Sequence, residues 1–319
     1  MGTEITHRTV ETNGIRLHVA EAGAGPLVLF LHGWPESWYS WRHQLPTVAE
    51  AGYHGVAPDV RGYGDSDKPE AIEAYSMQTM VADYVGLLDA LGEETAVVVG
   101  HDWGAPMAYH CALLAPERFR AVVGMSVPWT GRPAAPPLET FAQIFKDSFF
   151  YIDYFQQVGV AERELEADVR RSMRLILYAA SGDSEGMAGF AGKPKNLGLL
   201  DGIPEPPGPL PWLTEADLDF YAGEFAKSGF RGPINRYRNM DRDWHELPQL
   251  AGAHIKQPCL FVAGEKDGVI AMNPSGIETM KANCDDMRGA VLVPGAGHWT
   301  QQERPGEVNA ALLGFLKGL

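Results

Sequence analysis

The stretch Ala96-Val-Val-Val-Gly-His-Asp-Trp-Gly-Ala105 limits the fold more than any other part of this 319-residue chain. Its apolar run shows no alternation, which suits a strand buried on both faces of a parallel sheet. The run passes straight into Gly100-x-Asp102-x-Gly104 and then into a helical segment. Such a pattern marks a sharp strand-to-helix turn. Small residues two before and two after its centre allow close backbone approach, and the central side chain stands out over the sheet edge. A helix N-terminus beside it favours an anion. Serine usually occupies the centre; here it is Asp102. A plain surface turn that happened to contain aspartate would leave the flanking glycines and the buried strand unexplained.

The same strand texture recurs at Pro26–Leu31, Gly55–Ala57, Ala121–Met125, Cys259–Val262 and Ala290–Val293, with helical segments such as Thr79–Leu91 and Pro106–Leu114 between. Strand alternating with helix predicts an α/β fold with a mostly parallel, doubly wound sheet. Alternation around Asn13-Gly14 predicts an opening hairpin, with its second strand over Ile15–Ala20. From Thr130 to Leu250 buried-strand runs are missing, and helical stretches rich in aromatics and charge replace them. Thr214-x-x-Asp217 opens one such helix as a capping box, and Gly229 stops it. The expected organisation is a core in two parts, 1–129 and 251–319, around an inserted helical lid at 130–250. The Pro/Gly-rich stretch Ile203–Pro211 reads as a surface loop within it. The site belongs between lid and sheet, at the C-terminal ends of the strands.

A net charge of −15 disfavours nucleic acid and anionic membrane as partners. Cys111, Cys259 and Cys284 are an odd set without paired spacing, so a disulfide framework is not expected and a reducing compartment is. The N-terminus lacks an apolar signal core, and no apolar stretch is long enough to span a bilayer. Met1-Gly2 with Thr6 matches a myristoylation pattern, one short enough to be read as chance. The expectation is a cytoplasmic protein without membrane attachment, with a homodimer left open.

In folds with this turn the orienting acid and then the histidine follow the nucleophile in chain order. His298 follows the last apolar run in Val293-Pro-Gly-Ala-Gly-His-Trp299, whereas His245 and His254 sit among polar neighbours. Phe261-Val-Ala-Gly-Glu-Lys-Asp267 supplies Glu265 and Asp267, of which Asp267 lies further out and can reach a histidine on the next loop. His32-Gly-Trp-Pro35 follows the first buried strand, where the backbone N–H of Trp34 can join that of Trp103 as an oxyanion hole. Arg61–Pro69, glycine-rich without a phosphate-loop context, reads as structural. No cluster shows ligand spacing, so neither metal nor organic cofactor is expected. An ionised carboxylate can displace at saturated carbon and leave an alkyl ester. The leaving group then departs towards the lid, which therefore decides the substrate.

With these motifs the chain resembles the soluble epoxide hydrolases of the α/β-hydrolase superfamily. The resemblance rests on His32-Gly-Trp-Pro35, Arg61-Gly-Tyr-Gly-Asp-Ser66, Gly100-His-Asp-Trp-Gly104, Gly264-Glu-Lys-Asp267 and Gly297-His-Trp299. In the lid it rests on Tyr151-Ile-Asp-Tyr-Phe-Gln156 and Ser228–Met240, and by register it implies that Tyr151 and Tyr237 are two hydroxyl donors. Tyr154, one turn from Tyr151, is a rival for that role. The resemblance stops over roughly 181–211, which shapes substrate choice. It implies hydrolysis of a small-molecule epoxide to a vicinal diol through an ester on Asp102, cleaved by water that His298 activates and Asp267 orients. Two alternatives use the same fold. A haloalkane dehalogenase also carries aspartate in the turn, and the indoles of Trp34 and Trp103 would suit a halide. A non-catalytic ligand receptor would not need the complete triad.

Overall fold

The computed structural model describes residues 3–184 and 193–319. Met1-Gly2, and with it the myristoylation pattern, lies outside these residues, as does part of the 181–211 segment. The strands are β1 (Thr6–Thr12), β2 (Ile15–Gly23), β3 (Leu27–Leu31), β4 (His54–Pro58), β5 (Ala96–His101), β6 (Phe119–Met125), β7 (Ile255–Gly264) and β8 (Cys284–Val293). They form one sheet in the order β1-β2-β4-β3-β5-β6-β7-β8. β1 pairs with β2 and β2 with β4 antiparallel; the other pairs are parallel. Thr12 faces Ile15 across the first turn, and Asn13 and Gly14 both have positive φ (44° and 74°), as a two-residue hairpin turn of this hand requires.

The helices before the interruption are α1 (Gln44–Glu50), α2 (Met77–Leu91) and α3 (Gly104–Leu114). Between β6 and β7 come α4 (Pro137–Ile144), α5 (Tyr151–Phe155), α6 (Val160–Glu166), α7 (Val169–Ala179), α8 (Glu215–Ser228), α9 (Arg231–Arg238) and α10 (Met240–Glu246). After β7 follow α11 (Gly268–Met272), α12 (Gly276–Ala282), α13 (Thr300–Glu303) and α14 (Pro305–Lys317). Alternate residues of the central strands feed two cores, as strand pleating requires. Val28, Phe30, Val97 and Val99 pack with Leu45 of α1 and Leu312 of α14, while Leu29, Val98 and Val122 pack with Leu87 of α2 and Cys111 of α3.

One expectation fails at the sheet edge. Ala290–Val293 is not buried on both faces: β8 begins at Cys284 and alternates, with Leu292 46% exposed. As the last strand it lacks a second neighbour, and its outer side chains meet solvent. The expected capping box is present: Thr214 accepts from the Asp217 N–H, and Asp217 accepts from the Thr214 N–H. Arg61 proves structural, donating at 2.8 and 2.6 Å to buried Asp83. All three cysteines are free and buried. Among the described residues no helix is long and apolar enough to cross a membrane.

The helical interruption sits on the sheet's C-terminal side through polar contacts. Tyr39 donates to Asp217 at 2.8 Å, Tyr221 lies 2.8 Å from Ser40, and the Met77 N–H donates to Asp243 at 2.7 Å. The turn after β5 depends instead on absent atoms. A Cβ on Gly100 would strike the Gly104 backbone, and one on Gly104 the Leu31 carbonyl. Two glycine replacements should therefore have opposite signs. Gly104→Ala should cost at least ~2 kcal/mol, because backbone cannot retreat as a side chain can. Gly314→Ala, at an exposed position of α14 with open space around it, should add ~0.5–1 kcal/mol. Urea unfolding midpoints measure both, and a neutral Gly104→Ala would contradict the packing of the turn.

Candidate active site

Asp102 leaves β5 with φ 51°, a region aspartate visits more readily than most residues but only under constraint. One of its oxygens, Oδ1, accepts the Trp34 N–H at 2.7 Å. This contact exists because β3 and β5 are neighbours, with Leu31 in register with Gly100. Trp103 occupies the N-terminal cap of α3 beside it. The fold thus delivers Asp102, Trp34 and Trp103 to one point.

His298 comes from the loop after β8 and Asp267 from the loop after β7. His298 Nε2 lies 3.5 Å from Asp102 Oδ2, and its Nδ1 lies 3.1 Å from Asp267 Oδ1. Asp267 is buried and also caps α11 by accepting the Val269 N–H at 2.9 Å. Glu265 is exposed and accepts instead from the Gly295 N–H, so the two acids of this loop part company. His245 and His254 are exposed. Burial alone would push the His298 ring towards neutrality, but the carboxylates of Asp267 and Asp102 outweigh it and hold the ring well above the ordinary histidine range. Burial likewise opposes ionisation of Asp267, and the facing His298 more than offsets it, leaving the carboxyl low.

The helical interruption closes the other side. Tyr151 opens α5 and Tyr237 lies in α9, their rings 5.9 Å apart. Both line a cavity of about 300 Å³ that also contains Asp102, Asp267 and His298, with walls from Trp34, Phe149, Leu199 and Met272. Burial first, then the Asp102 charge, raises both phenols far above their ordinary range, so they remain O–H donors. Tyr154 is not among the lining residues, and its hydroxyl donates to Glu164 at 2.8 Å. The structure brings Asp102, Asp267, His298, Tyr151, Tyr237 and Trp34 to one cavity, places Trp103 beside Asp102 but not in its lining, and leaves the rival tyrosine outside it.

Four contributors escape a reading of the sequence. Ser126, after β6, lies 2.9 Å from His298 Nδ1. Glu36 is wholly buried and accepts from the Gly33 N–H at 2.8 Å, His101 Nδ1 at 2.7 Å and Gln301 at 2.9 Å. His101 Nε2 in turn donates to the His298 carbonyl at 2.7 Å, so the pair ties the loop holding Trp34 to the loop holding His298. Glu303 accepts the N–H groups of Gly182, Gly297 and Trp299, fastening the lid chain to the same loop. Glu36 adjoins a recognised motif and His101 lies within one, but only the pairing of distant strands shows what they touch. Among the described residues no cluster of histidine, cysteine and acidic side chains is placed to hold a metal ion.

Residues 26–305 match the family model of the alpha/beta hydrolase fold. The chain is 48% identical to epoxide hydrolase A of Mycobacterium tuberculosis, with 98% of each covered. It is 39% identical to epoxide hydrolase 2 of Siraitia grosvenorii, covering 98% of this chain and 99% of that one. Among solved structures, an epoxide hydrolase from an endophytic Streptomyces superposes with a TM-score of 0.94 at 49% identity, covering 98% of this chain and 96% of the other.

The Glu36 contacts have a consequence for acid stability. Burial opposes its ionisation, but His101 and the Gly33 amide prevail and take its carboxyl down to about 2. A depressed acid stabilises the fold above its unfolded value of 4.5 and loses that contribution as pH falls towards 2. Glu36→Gln should therefore flatten melting temperature against pH in that window, removing up to ~3 kcal/mol of the acid-sensitive term. A slope equal to the parent's would show that Glu36 carries none of it.

Proposed function

This chain belongs to the epoxide hydrolases of the α/β-hydrolase fold, and we propose that Asp102, Tyr151, Tyr237, His298 and Asp267 carry out its hydrolysis in two steps. The observation that supports this assignment is one cavity holding a carboxylate on one wall and two protonated phenols on the other. An epoxide seated between them has its carbon towards Asp102 and its oxygen towards the lid.

In the first step an Asp102 oxygen attacks the epoxide carbon while the other stays on the Trp34 amide. The C–O bond breaks, its electron pair passes to the ring oxygen, and a phenol supplies a proton while the second phenol holds the nascent alkoxide. The product is a hydroxyalkyl ester. Its formation removes the Asp102 charge, one of the two carboxylates that keep His298 protonated. Alkylation thereby lowers the His298 pKa, and the imidazolium gives its Nε2 proton up to the tyrosinate, which restores the phenol and leaves Nε2 free as a base. Water gives a proton to His298 and attacks the ester carbonyl, whose oxygen develops charge at the N–H groups of Trp34 and Trp103. Collapse expels the diol oxygen, which takes the proton back from His298. The Asp102 carboxyl then gives its own proton to His298 Nε2, 3.5 Å away, which restores the imidazolium, and the count closes. Residues 130–250 serve as the lid, contributing the phenols and the apolar walls.

A halide leaving group would need N–H donors rather than phenols. Trp34 Nε1 is buried without a partner, yet the two O–H groups share the cavity, so the epoxide reading stands ahead of dehalogenation. Three variants test it with styrene oxide. His298→Gln should accumulate an ester, seen as a substrate mass added to the intact protein, and Asp102→Asn should add none. Tyr151→Phe and Tyr237→Phe should each slow ester formation about a hundredfold, the cost of one donor in a preorganised pair. Tyr154→Phe should leave it nearly unchanged. Halide release from haloalkanes, with both lid tyrosines dispensable, would overturn the assignment.

A further inference from the structure

Ser126 stands where the mechanism makes no explicit use of it. It follows β6 at the sheet's C-terminal edge, between the strands that deliver Asp102 and Asp267. Its backbone has φ 70°, a left-handed conformation that bulkier side chains rarely adopt, and its N–H donates to the Val262 carbonyl at 3.0 Å. The side chain is wholly buried, with Oγ 2.9 Å from His298 Nδ1, closer than the 3.1 Å from that nitrogen to Asp267.

A proton inventory decides what the hydroxyl does. His298 can act as a base at Nε2 only if Nδ1 carries the ring hydrogen. Asp267, a carboxylate, only accepts and takes most of that hydrogen. Ser126 Oγ then shares it as a second acceptor, and its own hydrogen turns to the Asp267 carboxylate beside it. If the hydroxyl donated to Nδ1 instead, the ring hydrogen would move to Nε2 and the ring would be blocked towards Asp102. Left-handed backbone at a buried residue is a constraint that functional sites recurrently hold.

We propose that Ser126 is a positioning residue of the hydrolytic step, whose hydroxyl bridges His298 Nδ1 and Asp267 and holds both in the orientation that leaves Nε2 free. This rests on the two-step reading above. The other titratable groups around the pair are Asp102 in front, Tyr151 across the cavity, and His101 with Glu36 behind the His298 carbonyl. All of them stay in place when Ser126 is changed.

Ser126→Ala and Ser126→Gly both remove the hydroxyl, while glycine relieves the backbone and alanine does not. Their stabilities should differ and their chemistry should agree, so glycine keeps the test alive if alanine folds poorly. Stopped-flow measurements with styrene oxide should find ester formation within about twofold of the parent and ester hydrolysis slowed about tenfold. Loss of the hydroxyl removes both an acceptor of the Nδ1 hydrogen and a donor to Asp267, so the acid limb of hydrolysis should shift by roughly half a unit to one unit. An unmoved limb in both variants, or equal slowing of the two steps, would overturn the role of Ser126 while leaving the two-step reading intact. A parent enzyme that forms no ester would overturn that reading and this inference together.

Discussion

Two carboxylates face one apolar cavity, and the placement of every other group follows from keeping both ionised. In the proposed mechanism Asp102 needs its charge to attack, and Asp267 needs its charge to orient the base. His298 lies between them, 3.5 Å from one and 3.1 Å from the other, and supplies the positive charge that makes their coexistence tolerable. That arrangement has a time course. The resting site favours an imidazolium, and forming the ester cancels one of the charges responsible. In the proposed mechanism the first step thus creates the base that the second requires.

Holding three such loops in register is the work of the sheet. Leu31, Gly100, Gly124 and Phe261 lie across adjacent strands, so the chain leaves each at nearly the same height. Buried polar groups then tie the loops together. Glu36 and His101 link the Trp34 loop to the His298 carbonyl, and Glu303 joins the lid chain at Gly182 to Gly297. The helical interruption is consequently anchored beside His298, and its phenols are held across the cavity from Asp102.

The parts legible in the sequence are those with local signatures. Asn13-Gly14 announces its hairpin, the apolar runs announce the central strands, and the glycines around Asp102 announce a turn that no Cβ would permit. His298 and Asp267 follow from chain order once that turn is known. The edge character of β8 was not legible, because an apolar run does not reveal whether a second neighbour covers it. Tyr151 and Tyr154 are alike in sequence. What separates them is Glu164, which receives the Tyr154 hydroxyl from another helix. Ser126 and Glu36 carry no motif of their own, and His101 lies inside one without showing its role, since their partners come from parts of the chain far away.

The central claim is that the oxygen added to the epoxide comes first from Asp102 and not directly from water. A single turnover in ¹⁸O-water, with enzyme in excess over styrene oxide, measures this directly. The account predicts unlabelled oxygen in the diol and heavy oxygen in the peptide containing Asp102. Heavy oxygen in the first-formed diol, with an unlabelled Asp102 peptide, would contradict it.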